Sequence, residues 1–227
     1  MLNNLKIIPL ALITTVLVGC AGNKPPLTRA EQLAENARKE AEKKVFEQEH
    51  LTRVYNGKNK REIIDAAEKV LKLSDPKDFG FSHHDNGFKA RRDWDYYAVF
   101  TNERGTDNWT VNVKELSGGR VEATVEERTD RASSQPNYIY VHGVGTMSTG
   151  TTVRKTELIS ESSALYDLFW KRMDYILGQR SDWTTCESHK QEVKSNNKLS
   201  GKFNQLCGPL AKDLLPEELR EEAKNKA

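Results

Sequence analysis

The spacing of apolar positions changes along the chain, and each change marks a new element. A continuous apolar run, Ile7, Ile8, Leu10, Ala11, Leu12, Ile13, Val16 and Leu17, follows a polar start carrying Lys6 and closes on Val18-Gly19-Cys20. Its charged, apolar, small-residue order is that of an export signal, and it falls short of the roughly 20 residues of a membrane-spanning helix. Beyond a polar, proline-bearing tether over 20–27, Ala30, Leu33, Ala34, Ala37 and Ala41 make a thin stripe at helical spacing that Val45 and Phe46 continue. Thr28 and Glu31 fit a capping box at its start, and Glu35 with Lys39 and Glu40 with Lys44 are spaced for ion pairs along it. Such a helix forms readily but has little to bury, which predicts a solvated arm over 28–55. A coiled-coil partner helix is the alternative, against a stripe without sustained apolar heptads. After a break at Asn56 to Asn59, Ile63, Ile64, Ala67, Val70 and Leu71 share one face of a core-facing helix that Asn59 and Glu62 cap and Ser74-Asp75-Pro76 ends.

The period then drops to two. Phe79 and Phe81 alternate ahead of Asp85-Asn86-Gly87, a hairpin signal because Asn-Gly accepts the positive φ of a tight turn. Phe88, Ala90, Trp94, Tyr96, Ala98 and Phe100 alternate with Lys89, Arg91, Asp93, Asp95 and Thr101. Arg92 interrupts the apolar phase, which predicts a bulge or a strand break. Gly105 to Asn108 read as a turn, and Trp109, Val111 and Val113 resume the alternation. Ser117-Gly118-Gly119 leads to Val121, Ala123 and Val125, again alternating with polar residues. Asp130 to Pro136 read as a loop, Tyr138 to His142 as strand, Gly143 to Gly150 as a mobile turn, and Thr151 to Ile159 as strand. The pattern predicts an antiparallel meander with one covered and one wet face.

Leu165, Leu168, Phe169, Met173, Ile176 and Leu177 lie on one arc of a helix from about Ser163, capped by Ser160 or Ser162 and followed by Gly178. A polar extension over 181–227 follows, with a short amphipathic helix starting at Pro216. The fold class expected is α+β: a two-layer antiparallel meander with two helices on one face, in a domain over 56–180, preceded by the long solvated N-terminal helix.

Leu17-Val18-Gly19-Cys20 resembles the lipobox of bacterial lipoproteins. The resemblance implies that 1–19 are removed and that Cys20 is acylated and becomes the first residue of the mature chain. Each buried methylene contributes about 0.8 kcal/mol and one acyl chain alone holds marginally, so the several chains of a lipoprotein anchor firmly. Ala21, a residue other than Asp after the cysteine, implies the outer membrane, with the chain on its periplasmic face. The order of elements is similar to that of helix-grip modules in outer-membrane assembly lipoproteins. No motif beyond the lipobox accompanies that likeness, so no functional residues carry over from it.

Hydrophobic residues make up 37% of the chain and charged residues 30%, so much of the molecule is solvated surface around a modest core. A net charge of +2 lacks the basic excess of a nucleic-acid protein, and no nucleic-acid partner is expected. With Cys20 set aside for lipid, Cys186 and Cys207 remain in a compartment that permits disulfides. Paired, they close a loop of about 20 residues for roughly 3 kcal/mol of stabilisation. Two free thiols, or a metal pair joined by His189, are the alternatives.

Candidate chemistry is sparse. His83-His84-Asp85 gathers metal-ligand types, but adjacent histidines on a strand point to opposite faces, so a polar hairpin end is expected and no metal. Gly143 and Gly145 sit between strands rather than before a helix, which makes a hairpin loop of them and not a phosphate cradle. Neither a Gly-x-Ser-x-Gly elbow nor a His-Glu-x-x-His helix occurs, and no catalytic residues or cofactor are expected. Among the aromatic residues, Tyr97 lies off the apolar phase and, with Tyr138 and Tyr140, is a candidate binding surface. The reading that follows is a membrane-anchored, non-enzymatic binding or assembly module that holds an envelope protein in the periplasm. The alternative is an enzyme or binding protein directed at peptidoglycan or another glycan.

Overall fold

The computed structural model describes residues 28–75, 77–98, 101–208 and 213–217, without the side chains of 96–98, 101, 135, 137–139, 141, 148, 149, 157 and 158. Two compact units divide between Glu40 and Ala41, inside helix α1 (Arg29–Phe46). In the first, the Thr28 amide donates to Glu31 Oε2 (2.8 Å) and the Glu31 amide to Thr28 Oγ1 (3.3 Å), the capping box expected from sequence. No residue of α1 is buried, which matches its thin stripe.

The second unit opens with the end of α1 and continues through a π-helical turn (Glu47–Leu51), β1 (Thr52–Asn56), α2 (Lys60–Ser74), β2 (Gly80–His84), β3 (Gly87–Ala98), β4 (Thr101–Leu116), β5 (Arg120–Val141), β6 (Gly145–Ile159), α3 (Ser163–Ile176), α4 (Cys186–Ser195) and α5 (Asn204–Cys207). The sheet is antiparallel in the order β1-β5-β4-β3-β2, and β6 also pairs with β5. The α+β class and the two helices on one face hold. Ile63, Ala67, Val70 and Leu71 of α2 and Leu165, Leu168, Phe169 and Met173 of α3 close over Phe88, Trp109, Val111, Val113, Val121, Ala123 and Val125, the strand phase that the alternation assigned to the core. Trp109 and Phe169 stack with ring centroids 5.5 Å apart at its centre.

Helices α2 and α3 start where their side-chain caps dictate. Asn59 Oδ1 accepts from the Glu62 amide (2.9 Å) while the Asn59 amide donates to Glu62 Oε2 (2.8 Å), and Ser162 Oγ accepts from the Leu165 amide (3.1 Å). Asn59→Ala is therefore expected to lower stability by about 1 kcal/mol, read as a shift of the urea midpoint at unchanged slope. An unshifted midpoint would show the cap to be dispensable.

The strands depart from the sequence reading in three places. The arm helix does not run through Val54, because Thr52–Asn56 pair with Arg120 to Thr124 of β5 as an edge strand. This strand is tied to α3: Tyr55 Oη donates to Asp174 Oδ1 (3.2 Å), Arg53 pairs with Asp174, and Trp170 Nε1 donates to the His50 carbonyl (2.7 Å). No turn occurs at Gly105 to Asn108 either; β4 passes through it in register with β3 and β5. Gly105 serves close approach instead, since a Cβ there would stand 2.4 Å from Trp94 Cζ2. Lastly, β5 crosses the expected loop at Asp130 to Pro136 and β6 starts at Gly145, so both form one long ribbon around a turn at His142, Gly143 and Val144. At 22 residues β5 spans roughly 70 Å, against about 21 Å for the 14 residues of α3, so the ribbon runs beyond the helical layer.

The expected hairpin at Asp85-Asn86-Gly87 is present, with His84 opposite Gly87. Gly87 has φ 150° and its missing Cβ would fall 1.9 Å from the Val111 carbonyl oxygen, so no other residue fits.

Because β1 covers β5 only as far as Thr124 and β6 begins opposite Arg128, the strand edge between them needs other partners. The Glu127 amide donates to Tyr166 Oη (3.0 Å), Tyr166 Oη donates to the Ser160 carbonyl (3.3 Å), and the Ser160 amide donates to the Glu127 carbonyl (3.0 Å). A buried tyrosine hydroxyl thus completes the sheet at the junction.

Candidate binding surfaces

Three features of the sheet are built from residues the fold gathers: a trough on its uncovered face, an unpaired edge along β6, and a sealed polar cluster beneath the helices. The trough follows from the twist of β2 to β5 and their polar phase. It consists of two concavities of ≈ 1020 and ≈ 980 Å³ that share Asp93, Arg128 and Asp130. Arg104, Thr106 and Lys155 extend one end, and Lys89, Arg91, Asn108, Thr110 and Glu126 the other. Some of its charges are matched within it. Arg91 Nη2 lies 2.9 Å from Asp93 Oδ1, Thr106 Oγ1 donates to the same oxygen (2.6 Å), and Asn108 Nδ2 donates to Asp130 Oδ2 (3.2 Å). The Thr106 hydroxyl and then the Arg91 guanidinium hold the Asp93 carboxyl below the ordinary carboxylate range. Chemically this is an ionised, hydrogen-bonding surface, suited to a polar ligand rather than to proton transfer.

The edge comes from the ribbon. Strand β6 pairs with β5 along Arg128 to Val141, and among the described residues no strand covers its other side. Tyr140, Val144, Met147 and Val153 of the ribbon are exposed, Tyr140 to 74%. Unpaired strand amides and carbonyls flanked by apolar side chains make a template for another extended segment.

On the covered face, Arg92 stays in register opposite Asp107, so the expected bulge does not form. Its side chain is buried: Nη2 donates to Asp107 Oδ2 (2.6 Å) and to the Gln205 carbonyl (2.9 Å), and Nη1 stands 3.5 Å from Asp75 Oδ2. Trp94 Nε1 donates to Asp107 Oδ1 (3.0 Å). Thr129 Oγ1 lies 3.1 Å from that oxygen and 2.7 Å from Glu127 Oε1, and Gln205 Nε2 donates to Glu127 Oε2 (3.2 Å). Glu127 is wholly buried, and burial pushes its carboxyl up to about 8, with the Asp107 charge adding to the effect against Thr129, Arg92 and Gln205. This cluster links the sheet to the C-terminal extension through Gln205.

The residues singled out in the sequence are dispersed. Cys20 lies outside the described residues, as do the side chains of Tyr97 and Tyr138, whose backbones sit opposite Asn102 on β4 and Ser148 on β6. Tyr140 is on the ribbon. Cys186 and Cys207 form a disulfide, with Cα atoms 5.6 Å apart, which excludes the free-thiol and metal-pair alternatives. His83 pairs with Glu68 of α2 (2.6 Å), and Gly143 and Gly145 belong to the β5–β6 hairpin. Metal-ligating side chains that cluster among the described residues, Asp167, His189 and Glu192, lie between α3 and α4 on the far side of the sheet from the trough.

No family model and no curated protein matches the chain. Its function therefore has to be argued from these surfaces and from the residues ahead of them.

Proposed function

We propose that the protein is a lipid-anchored envelope lipoprotein, acylated at Cys20 and held at the periplasmic face of the outer membrane, whose domain binds or helps assemble a partner protein without catalysing a reaction. The observation that carries the binding part is the outer side of β6, a strand of 15 residues with exposed Val153 and Met147 that no strand covers among the described residues. A partner contributing an extended segment gains main-chain hydrogen bonds along this edge and contacts for its alternate side chains. The anchor rests on the apolar run and the Leu17-Val18-Gly19-Cys20 motif. Among the described residues no helix is long and apolar enough to cross a membrane. Against the enzymatic alternative, the carboxyl held protonated near neutral pH, Glu127, is sealed beneath the helices while Asp93 and Asp130 of the trough are ion-paired with Arg91 and Arg128, so this acid does not meet those carboxylates in one cavity.

The trough supports a second reading, in which its Asn, Thr and Asp side chains hold a glycan. One experiment separates the two. A photocrosslinking residue is placed at Val153 on β6 and, separately, at Lys89 in the trough of the full chain in cells. The docking reading expects a discrete protein adduct from position 153 and none from position 89. It is overturned if neither position captures protein and the purified chain is retained on isolated wall material. In the same cells Cys20→Ser is expected to move the protein into the soluble fraction, and continued sedimentation with membranes would defeat the lipid anchor.

A further inference from the structure

His189 is wholly buried on α4, packed edge-on against Phe203 with ring centroids 4.9 Å apart. Its Nε2 lies 2.8 Å from the Ala164 carbonyl, which can only accept, so Nε2 carries a proton. Nδ1 has no hydrogen-bond partner. It faces two carboxylate oxygens, Asp167 Oδ2 and Glu192 Oε2, each 3.8 Å away. At that distance neither accepts a hydrogen bond from Nδ1, so protonating the ring would not satisfy the nitrogen, and leaving it neutral aims a lone pair at two anions. Asp167 Oδ2 is itself buried without a hydrogen bond, since Lys171 Nζ stands 2.7 Å from it as an ion pair outside hydrogen-bonding geometry. Lys171 also reaches Glu192 at 2.5 Å.

A lone pair and two carboxylates converging on one point is a donor set for a cation. Imidazole nitrogen with carboxylate oxygens suits zinc and its neighbours better than the all-oxygen shells of calcium or magnesium. The Nε2 hydrogen bond to a backbone carbonyl is the outer contact that fixes the ring of a metal-ligating histidine. The three ligand atoms lie within 4.8 Å of one another. A tetrahedral ion bound at about 2.0–2.2 Å holds its ligands roughly 3.4 Å apart, so the widest pair closes by up to about 1.4 Å. The Glu192 side chain is 40% exposed and can make that movement by giving up its contact with Lys171, and its exposure leaves solvent access for a water as fourth ligand.

We propose that Asp167, His189 and Glu192 form a binding site for a divalent cation of the zinc class, with Lys171 as its competing internal cation. The site crosslinks α3 to α4. It stands independently of the docking function proposed above, since it uses neither β6 nor the trough.

The test is titration of the full mature chain with Co²⁺, reading the visible absorption of tetrahedral cobalt, followed by displacement with Zn²⁺. One equivalent of Co²⁺ is expected. Glu192→Gln and Asp167→Asn are expected each to weaken binding about tenfold or more, and Lys171→Met to tighten it by a similar factor because a positive charge leaves the site. Zn²⁺ is also expected to raise the Tm of the wild type and not that of Glu192→Gln. Circular dichroism of each variant establishes that it is folded before titration. Two results overturn the site: no tetrahedral cobalt signal in either the wild type or Lys171→Met, or a signal that survives both carboxylate substitutions, which would place the ion elsewhere on the chain.

Discussion

Replacing Arg172 with methionine is expected to destabilise the domain by about 3 kcal/mol, the lower end of the range for removing one member of a buried ion pair. Arg172 is wholly buried on α3, and its guanidinium stands over the Trp183 ring, 5.0 Å from the centroid. It donates to the Thr184 carbonyl (3.1 Å), to Ser74 Oγ (3.2 Å) and to Cys186 Sγ (3.4 Å), and it pairs with Asp213. Asp213 Oδ2 in turn accepts from the Cys186 amide (2.8 Å). One side chain thus joins α3, the end of α2, the start of α4 and the distal extension. Burial draws its pKa down and Asp213 opposes this, so the cation is kept by its partner. Methionine retains most of the apolar volume; what it leaves is a carbonyl, a hydroxyl and a carboxylate without their donor. The loss stays near the lower end because Asp213 keeps a quarter of its side chain in water.

The double variant Arg172→Met with Asp213→Asn separates charge from packing. Removing the orphaned carboxylate is expected to restore about 1 kcal/mol or more, because contacting residues are not additive. Urea unfolding with the Cys186–Cys207 disulfide intact measures both. A single-variant loss below about 1 kcal/mol would mean that water replaces the guanidinium at no penalty.

How far the sequence carried the fold depended on whether one element or two distant ones decided a position. Phe88, Trp109, Val111, Val113, Val121, Ala123 and Val125 all took the inward phase that alternation assigns them, and Asn59 and Ser162 cap where their side chains reach the next turn. These are local rules. Thr52–Asn56 obeys no local rule: the small-residue stripe runs into it, and only pairing with Arg120 to Thr124 makes it a strand. The ribbon was hidden for the opposite reason. Among the described residues no helix covers it, and Asp130 to Pro136 lacks an apolar phase and reads as loop although its backbone is paired on both sides for much of its length.

The candidate sites follow the same division. Arg92 reads as an interruption because its partners Asp107, Asp75 and the Gln205 carbonyl come from β4, the end of α2 and α5. Asp107 was concealed in an apparent turn, Gly105 to Asn108, whose glycine accommodates the Trp94 ring. Asp167 and His189 belong to different helices, so no spacing within one helix links them. The one usable signal was phase: an Arg, an Asp and a Glu on the inward face of three successive strands belong together if the strands are in register. Composition alone could not supply that register.

Glu127 carries the second large effect, and its sign is set by the direction of the shift. Burial raises its folded-state pKa to about 8, from 4.5 for an ordinary glutamate. Below 4.5 the carboxyl is protonated in both folded and unfolded chains and contributes nothing to the pH dependence. Between the two values the unfolded chain ionises while the folded one holds its proton, so stability falls as pH rises, and above about 8 the loss is complete. At about 1.4 kcal/mol per unit the full window is worth on the order of 5 kcal/mol. Glu127→Gln keeps an acceptor for the Thr129 hydroxyl and has nothing to ionise. Its stability relative to the wild type is therefore expected to climb by that amount between pH 4.5 and 8.5, measured as urea unfolding free energies at unit pH steps. Groups that titrate in both proteins, His189 among them, drop out of the difference. Arg92 pairs with Asp107 at 2.6 Å without Glu127 as a hydrogen-bond partner, so the variant tests the carboxyl of Glu127 and not the cluster as a whole. Parallel curves for the two proteins would mean that Glu127 ionises in place at its ordinary pKa, with water entering beside Gln205 to solvate it.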